Sequence, residues 1–205
     1  MKFTLLCGLL VCSLGLANVY GQDANKPEAK KASDQKEAAV LKTNEGTMVV
    51  EFWPEDAPLT VANFKKLARE GLYDGTLFHR IISGFMVQGG DPLTKDPSKE
   101  ALWGQGGPAT TVPDEFNEHP HVRGVISMAH TNRPNSAASQ FFICLGDANQ
   151  LDHKFTAFGK VIKGLDVLDK LGQTPVTRGP DGQLSKPKTR VALESVKIVP
   201  ADSVK

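Results

Sequence analysis

The sequence predicts a mainly β domain, a closed β-barrel whose ends are covered by two helices. Three observations carry this expectation. Short segments with period-two alternation recur from residue 40 to residue 199, separated by glycine- and proline-bearing turns. Two isolated segments show helical spacing instead. Hydrophobic residues make up 40% of the 205, enough for one ordinary core, with neither an internal repeat nor a second domain.

The N-terminus is different in kind. Lys2 gives a positive start, Phe3 to Leu16 is almost wholly apolar, and Val19-Tyr20-Gly21 places modest side chains where a signal peptidase cuts. Residues 1–21 therefore read as a secretory signal peptide cleaved after Gly21. The run is short of the roughly 20 apolar residues of a spanning helix; a retained anchor is the alternative. Cleavage removes Cys7 and Cys12 and leaves Cys144 alone, so no internal disulfide is available. The expected product is exported, periplasmic or secreted, monomeric, and not stably inserted in a membrane. Residues 22–39 are polar and charged and read as a flexible tether.

The domain is expected over residues 40–199. Leu41 to Thr43 and Thr47 to Trp53 read as strands joined by an Asn44-Glu45-Gly46 turn. Val61, Phe64, Leu67 and Ala68 recur at helical spacing between Pro58 and Gly71. Thr76 to Ile82 and Phe85 to Gly89 read as paired strands around Ser83-Gly84, followed by a glycine- and proline-bearing stretch from Asp91 to Pro113. Val122 to Ala129, Gln140 to Leu145 and Phe155 to Ile162 are further strands. Gly164 to Leu171 gives a second helix stopped by Gly172, Thr189 to Val199 a last strand, and residues 200–205 a tail.

Charge excludes some functions. With 24 Lys+Arg against 23 Asp+Glu the formal charge is +1, which argues against a nucleic-acid partner or an anionic membrane surface. Gly104 to Gly107 lacks the Gly-Lys-Ser/Thr ending of a phosphate cradle. His119 and His121 in a proline-bearing loop are weak evidence for a metal, and no metal or other cofactor is expected. Cys144, within Phe141-Phe142-Ile143-Cys144-Leu145, reads as a buried small hydrophobe rather than a nucleophile.

Three segments combine aromatics, glycines and a few polar groups: Phe78 to Asp91, Gly124 to Ala129, and Ser139 to Cys144. Alternation puts Arg80 and Ile82 on one strand face with His79 and Ile81 on the other. After the Ser83-Gly84 kink, Met86 and Gln88 share a face with Phe85 and Val87 opposite. A cation among apolar side chains is costly unless engaged. Spacing alone leaves open whether Arg80 is a functional group or an edge-strand arginine in water. It equally leaves Phe85, Met86, Phe142 and Leu151 as core or pocket.

These segments, F-H-R-I-I-S-G-F-M-V-Q-G-G-D, G-V-I-S-M-A and S-Q-F-F-I, closely resemble the cyclophilin family of peptidyl-prolyl cis-trans isomerases. Ala57-Pro58 to Phe64, Gly104 to Pro108 and Phe158 to Val161 fall in family order, so the resemblance covers about Val40 to Val199. It implies an eight-stranded antiparallel barrel capped by two helices. It implies Arg80 as catalytic residue with Gln88 as polar neighbour and His79 close by. Phe85, Met86, Phe142 and Leu151 would wall a proline pocket, with Gln140, Gln150 and Phe155 also binding substrate. Ala129, His130 and Thr131 would pair with the substrate backbone. The partners implied are proline-containing segments of unfolded or partly folded proteins, with a proline-binding chaperone module as the rival role.

The chain departs from relatives at the rim. Gln150 stands where many carry a tryptophan associated with cyclosporin binding, Phe155 where several carry histidine, and His130 replaces a common asparagine. The Thr131-Asn132-Arg133-Pro134 turn is one residue longer. These differences are expected to alter substrate and inhibitor preference more than activity.

Overall fold

The computed structural model describes residues 36–204; the expected signal peptide and most of the tether lie outside the described residues. The chain forms strands β1 (Glu37–Thr43) and β2 (Gly46–Phe52), helix α1 (Pro58–Arg69), and strands β3 (Thr76–Leu77), β4 (Arg80–Ile82) and β5 (Met86–Gly89). After two short 3-10 helices come β6 (Val125–Met128), β7 (Phe141–Cys144), β8 (Ala157–Lys163), helix α2 (Leu165–Gly172), β9 (Val176–Arg178), β10 (Leu184–Pro187) and β11 (Ala192–Pro200). The domain is mainly β with two α-helices, as expected.

The expected closed eight-stranded barrel is corrected to an open, curled sheet of nine strands in the order β3-β11-β1-β2-β8-β6-β7-β5-β4. The cause lies at Phe78-His79. The segment read as one strand, 76–82, is two: β3 pairs with β11, whereas β4 pairs with β5. The two sheet edges are consecutive in the chain yet share no strand ladder. A separate hairpin, β9 with β10, escaped the sequence reading. Its residues are polar and largely exposed, so no hydrophobic alternation marks them.

The boundaries also move. β1 starts at Glu37, taking residues 37–39 from the expected tether. Ala38 and Ala39 are fully buried, and Glu37 meets Lys65 at 3.3 Å and Arg69 at 2.6 Å on α1. At the other end Pro200 lies opposite Glu37, and the Ala201 N–H donates to Lys36 O at 2.8 Å. Most of the expected tail is therefore built onto the sheet.

α1 forms because Pro58 sits in its first turn, where its missing N–H costs nothing, and Val61, Phe64, Leu67 and Ala68 share a buried face. The free N–H groups of Leu59 and Thr60 donate to the Glu115 carboxylate at 3.0 and 2.8 Å. Phe64 packs on Tyr73, Phe158 and Phe141 with centroids 4.8, 5.4 and 5.5 Å apart. Burial of each such ring contributes about 1.5–3 kcal/mol. Val167, Leu168 and Leu171 of α2 enter the same core.

Strand alternation divides the apolar side chains into two clusters. Ile81, Val87, Phe141 and Ile143 belong to the main core. Met86, Phe142 and Cys144 point to the other face and form a second cluster with Ala148, bordered by Ile82, Phe85, Ala129, Leu151 and Phe155. That second face carries the candidate site.

Candidate active site

Register builds the site. Arg80 on β4 lies opposite Gln88 on β5, Gln88 opposite Phe142 on β7, and Phe142 opposite Ser127 on β6. Paired residues share a sheet face, so Arg80, Gln88 and Phe142 form one row. One step along, Ile82, Met86 and Cys144 form the next. Phe85 is in the turn before β5, and this frees it from the alternation that sends Val87 into the core.

A cavity of about 220 Å³ lies over these rows, lined by Arg80, Phe85, Met86, Gln88, Phe142 and Leu151, with Ala129, His130 and Phe155 at its margin. Its aromatic wall is continuous. His130 stacks on Phe155 at 4.3 Å, and Phe155 meets Phe142 edge-on at 5.7 Å. Behind Phe142 lies the His121 ring at 6.0 Å. Cys144 is buried beneath the pocket, and burial, with the Asp152 charge adding to it, pushes its thiol up to about 12. It is a packing residue with almost no thiolate.

Arg80 is held on two sides. Its Nε donates to Asp181 Oδ2 at 2.8 Å, and its Nη1 lies 3.7 Å from Met86 Sδ, over the pocket. Asp181 belongs to the β9–β10 turn, 101 residues away in the chain, and no local signal pointed to it. Its other oxygen accepts from Ser185 Oγ at 2.7 Å and the Gln183 N–H at 3.0 Å. Burial alone would raise the Asp181 carboxyl; the bonds from Arg80, Ser185 and Gln183 outweigh it and hold the group below its ordinary value.

Gln88 Nε2 donates to Gln140 Oε1 at 3.0 Å, and Gln140 Nε2 donates in turn to Gly104 O and Gly106 O at 3.0 and 2.9 Å. This chain fixes Gln88 beside Arg80 and ties both to the loop after β5. Asp91 organises that loop: its fully buried carboxylate accepts from the Leu93, Gly104 and Gly106 N–H groups. A Cβ at Gly106 would lie 2.0 Å from Asp91 Oδ1, so only glycine fits there.

The remaining expected site residues fall into place unevenly. Ala129 N–H is already bonded to Gln140 O at 3.0 Å, and Thr131 N–H to Ser136 Oγ at 3.0 Å. The His130 backbone between them has no protein partner among the described residues. His79 does not line the pocket. It borders an adjacent groove, with both ring nitrogens shielded from solvent; burial lowers its pKa, against the opposing Asp91 charge and a backbone contact with Leu77, so the ring is neutral at pH 7. Gln150 is exposed on the 3-10 turn Asn149–Leu151 and does not line the pocket either.

His119 and His121 engage different carboxylates, Asp56 and Asp152, both at 2.9 Å. His121 Nε2 lies 3.0 Å from Ser127 Oγ, so Ser127, His121 and Asp152 have the connectivity of a hydrolase triad. Ser127 is fully buried, which keeps its hydroxyl from any substrate. The trio instead supports Phe142, its ring neighbour and strand partner.

Comparison with known proteins identifies the family. Residues 38–198 match the family described as cyclophilin type peptidyl-prolyl cis-trans isomerase/CLD. A probable peptidyl-prolyl cis-trans isomerase of Brucella abortus is 42% identical over 148 residues, 70% of this chain and 76% of the relative. The peptidyl-prolyl cis-trans isomerase-like 3 of Homo sapiens is 43% identical over 68% of this chain and 84% of its own. Among solved structures, a Cryptosporidium parvum cyclophilin type isomerase determined in the presence of the dipeptide Ala-Pro superposes with a TM-score of 0.69 at 31% identity, covering 79% of this chain and 98% of that one. The chain belongs to the cyclophilin family, and its activity is peptidyl-prolyl cis-trans isomerisation.

Proposed function

We propose that Arg80 is the catalytic residue, that the 220 Å³ cavity holds the proline ring, and that the enzyme serves folding of exported proteins. The observation that carries the first two is the row Arg80–Gln88–Phe142, which sets a guanidinium at the margin of an aromatic pocket. The Ala-Pro dipeptide in the Cryptosporidium relative's crystal supports a proline ligand. The N-terminal sequence pattern supports export.

Rotation about an amide costs about 18–20 kcal/mol because it breaks C–N conjugation. No covalent bond need form or break. The enzyme must only bind the twisted amide better than either planar isomer. In the twisted state the prolyl nitrogen regains a lone pair. With Nε occupied by Asp181, the Nη groups of Arg80 donate to that nitrogen and to the prolyl carbonyl oxygen. Phe85, Met86, Phe142 and Leu151 anchor the ring and exclude water, which strengthens the guanidinium's field. The free backbone of His130 pairs with the substrate chain before the proline. Gln88, held by Gln140, keeps the polar margin ordered.

The test is relaxation of a cis Ala-Pro peptide followed with wild type and Arg80→Ala. Arg80→Ala is expected to lose about a hundredfold in kcat/KM, the usual cost of removing one electrostatic donor. Equal acceleration by both would remove Arg80 from the mechanism, whereas no acceleration by wild type would leave the pocket as a binding module. Mass spectrometry of the mature N-terminus checks export: a chain starting at Gln22 is expected, and one starting at Met1 would contradict cleavage.

A further inference from the structure

Two larger cavities flank the proline pocket. One, about 470 Å³, runs along Ala129, His130 and Thr131 and shares Gln88 with the pocket. The other, about 500 Å³, meets the pocket at Arg80 and Gln88. Trp103 and Glu100 wall it on one side, and Pro180, Asp181 and Lys186 of the β9–β10 hairpin on the other. The hairpin is thus a wall of the substrate groove as well as the anchor of Arg80.

We propose that this second groove is a specificity subsite for the residue that follows the proline, favouring an aromatic or large apolar side chain laid against the Trp103 indole. The proposal rests on the reading of Arg80 and the pocket given above. There His130 pairs with the chain before the proline, and Arg80 holds the prolyl carbonyl. The next residue then leaves past Arg80. One residue spans about 3.3–3.6 Å, so its side chain enters the groove that Arg80 and Gln88 share with the pocket.

The groove's chemistry selects its occupant. Its charges are already paired: Arg80 with Asp181 at 2.8 Å, and Lys186 with Glu100 at 2.5 Å across the two walls. His79, at its base, is neutral at pH 7 because burial lowers its pKa. A charged substrate side chain finds no free counter-ion, whereas a neutral one loses nothing. Trp103 is half-buried, and its Nε1 donates to Asp96 O at 3.3 Å, which fixes the ring and leaves its face as contact surface.

Exchange NMR on the mature chain with Ala-Ala-Pro-Phe, Ala-Ala-Pro-Gly and Ala-Ala-Pro-Glu tests this. Wild type is expected to prefer Phe to Gly by about three- to tenfold in kcat/KM, the worth of one aromatic contact, with Glu at or below Gly. Trp103→Ala should bring the Phe/Gly ratio to within about twofold of unity, and Trp103→Phe should restore most of it. The ratio is read within each variant, so a general loss of fold or activity does not imitate the result. In wild type, the Trp103 indole N–H, identified by its absence in Trp103→Phe, should shift with the Phe peptide more than with the Gly peptide. Equal rates for Phe and Gly in wild type, an unchanged ratio in Trp103→Ala, a preference for Glu, or a silent indole would each overturn the subsite. Those outcomes leave the pocket standing. Only Arg80→Ala accelerating as well as wild type would remove the role of Arg80, and with it the path that leads the next residue into this groove.

Discussion

Asp181→Ala removes the anchor of Arg80 without touching the pocket. In the wild type the guanidinium is fixed through Nε at 2.8 Å by a carboxylate that Ser185 and Gln183 hold in place. Both partners are 27% exposed, so the ion pair is partly screened and its direct worth to stability is about 1 kcal/mol or less. The larger consequence is positional. An arginine side chain carries about 2 kcal/mol of rotamer entropy, and losing half of the restraint at the transition state costs about 1 kcal/mol, or roughly fivefold in rate. Asp181→Asn keeps an acceptor at the same place and should retain most of the activity. Relaxation of an Ala-Pro peptide gives kcat/KM, and thermal unfolding gives stability; the first should fall about fivefold while the second changes little. In an Arg80→Ala background the Asp181 change should have no further effect. A faster Asp181→Ala enzyme would refute the reasoning, because it would mean that the carboxylate weakens the guanidinium's field rather than aiming it. The pH dependence has a definite sign. The folded Asp181 carboxyl lies below its usual 3.8, so the contribution of the clamp is complete above that value and is lost only as pH falls through the folded one. Between about pH 8 and pH 5 the clamp's effect should be flat.

Two further outcomes follow from the packing. Tyr73 is fully buried against Phe64 and Phe141, its hydroxyl has no hydrogen-bond partner among the described residues, and burial raises its pKa. Tyr73→Phe should therefore stabilise the fold by about 1–2 kcal/mol in a urea titration, and a loss of stability would show that the hydroxyl is satisfied. Cys144, with its thiol pushed up to about 12, should resist iodoacetamide at neutral pH in the native state and react fully once unfolded; rapid native alkylation would contradict its burial.

Much of the site was readable before the structure. Arg80, Gln88, Met86 and Phe142 lie on short strands whose alternation fixes which side chains share a face, and motif order identified the family. Other parts carried no local signal. The split of residues 76–82 into β3 and β4 depends on two different partner strands, and a run of strand-forming residues looks the same whether it pairs with one neighbour or two. Ala38 and Ala39 read as tether because they end a polar stretch without apolar periodicity and alanine is a poor strand former; only burial and pairing with β11 make them strand. The hairpin 176–187 is polar and turn-rich, the same composition as a plain loop.

The sequence by itself determined the family, the mainly β class and the burial of Cys144, because each depends on residue type and near-neighbour spacing. Tertiary structure decided what Arg80 is bonded to, where Trp103 stands, and that the sheet is open rather than closed. Those features rest on contacts between segments far apart in the chain. Asp181 reaches Arg80 across 101 residues, and nothing within a few positions of either announces the other.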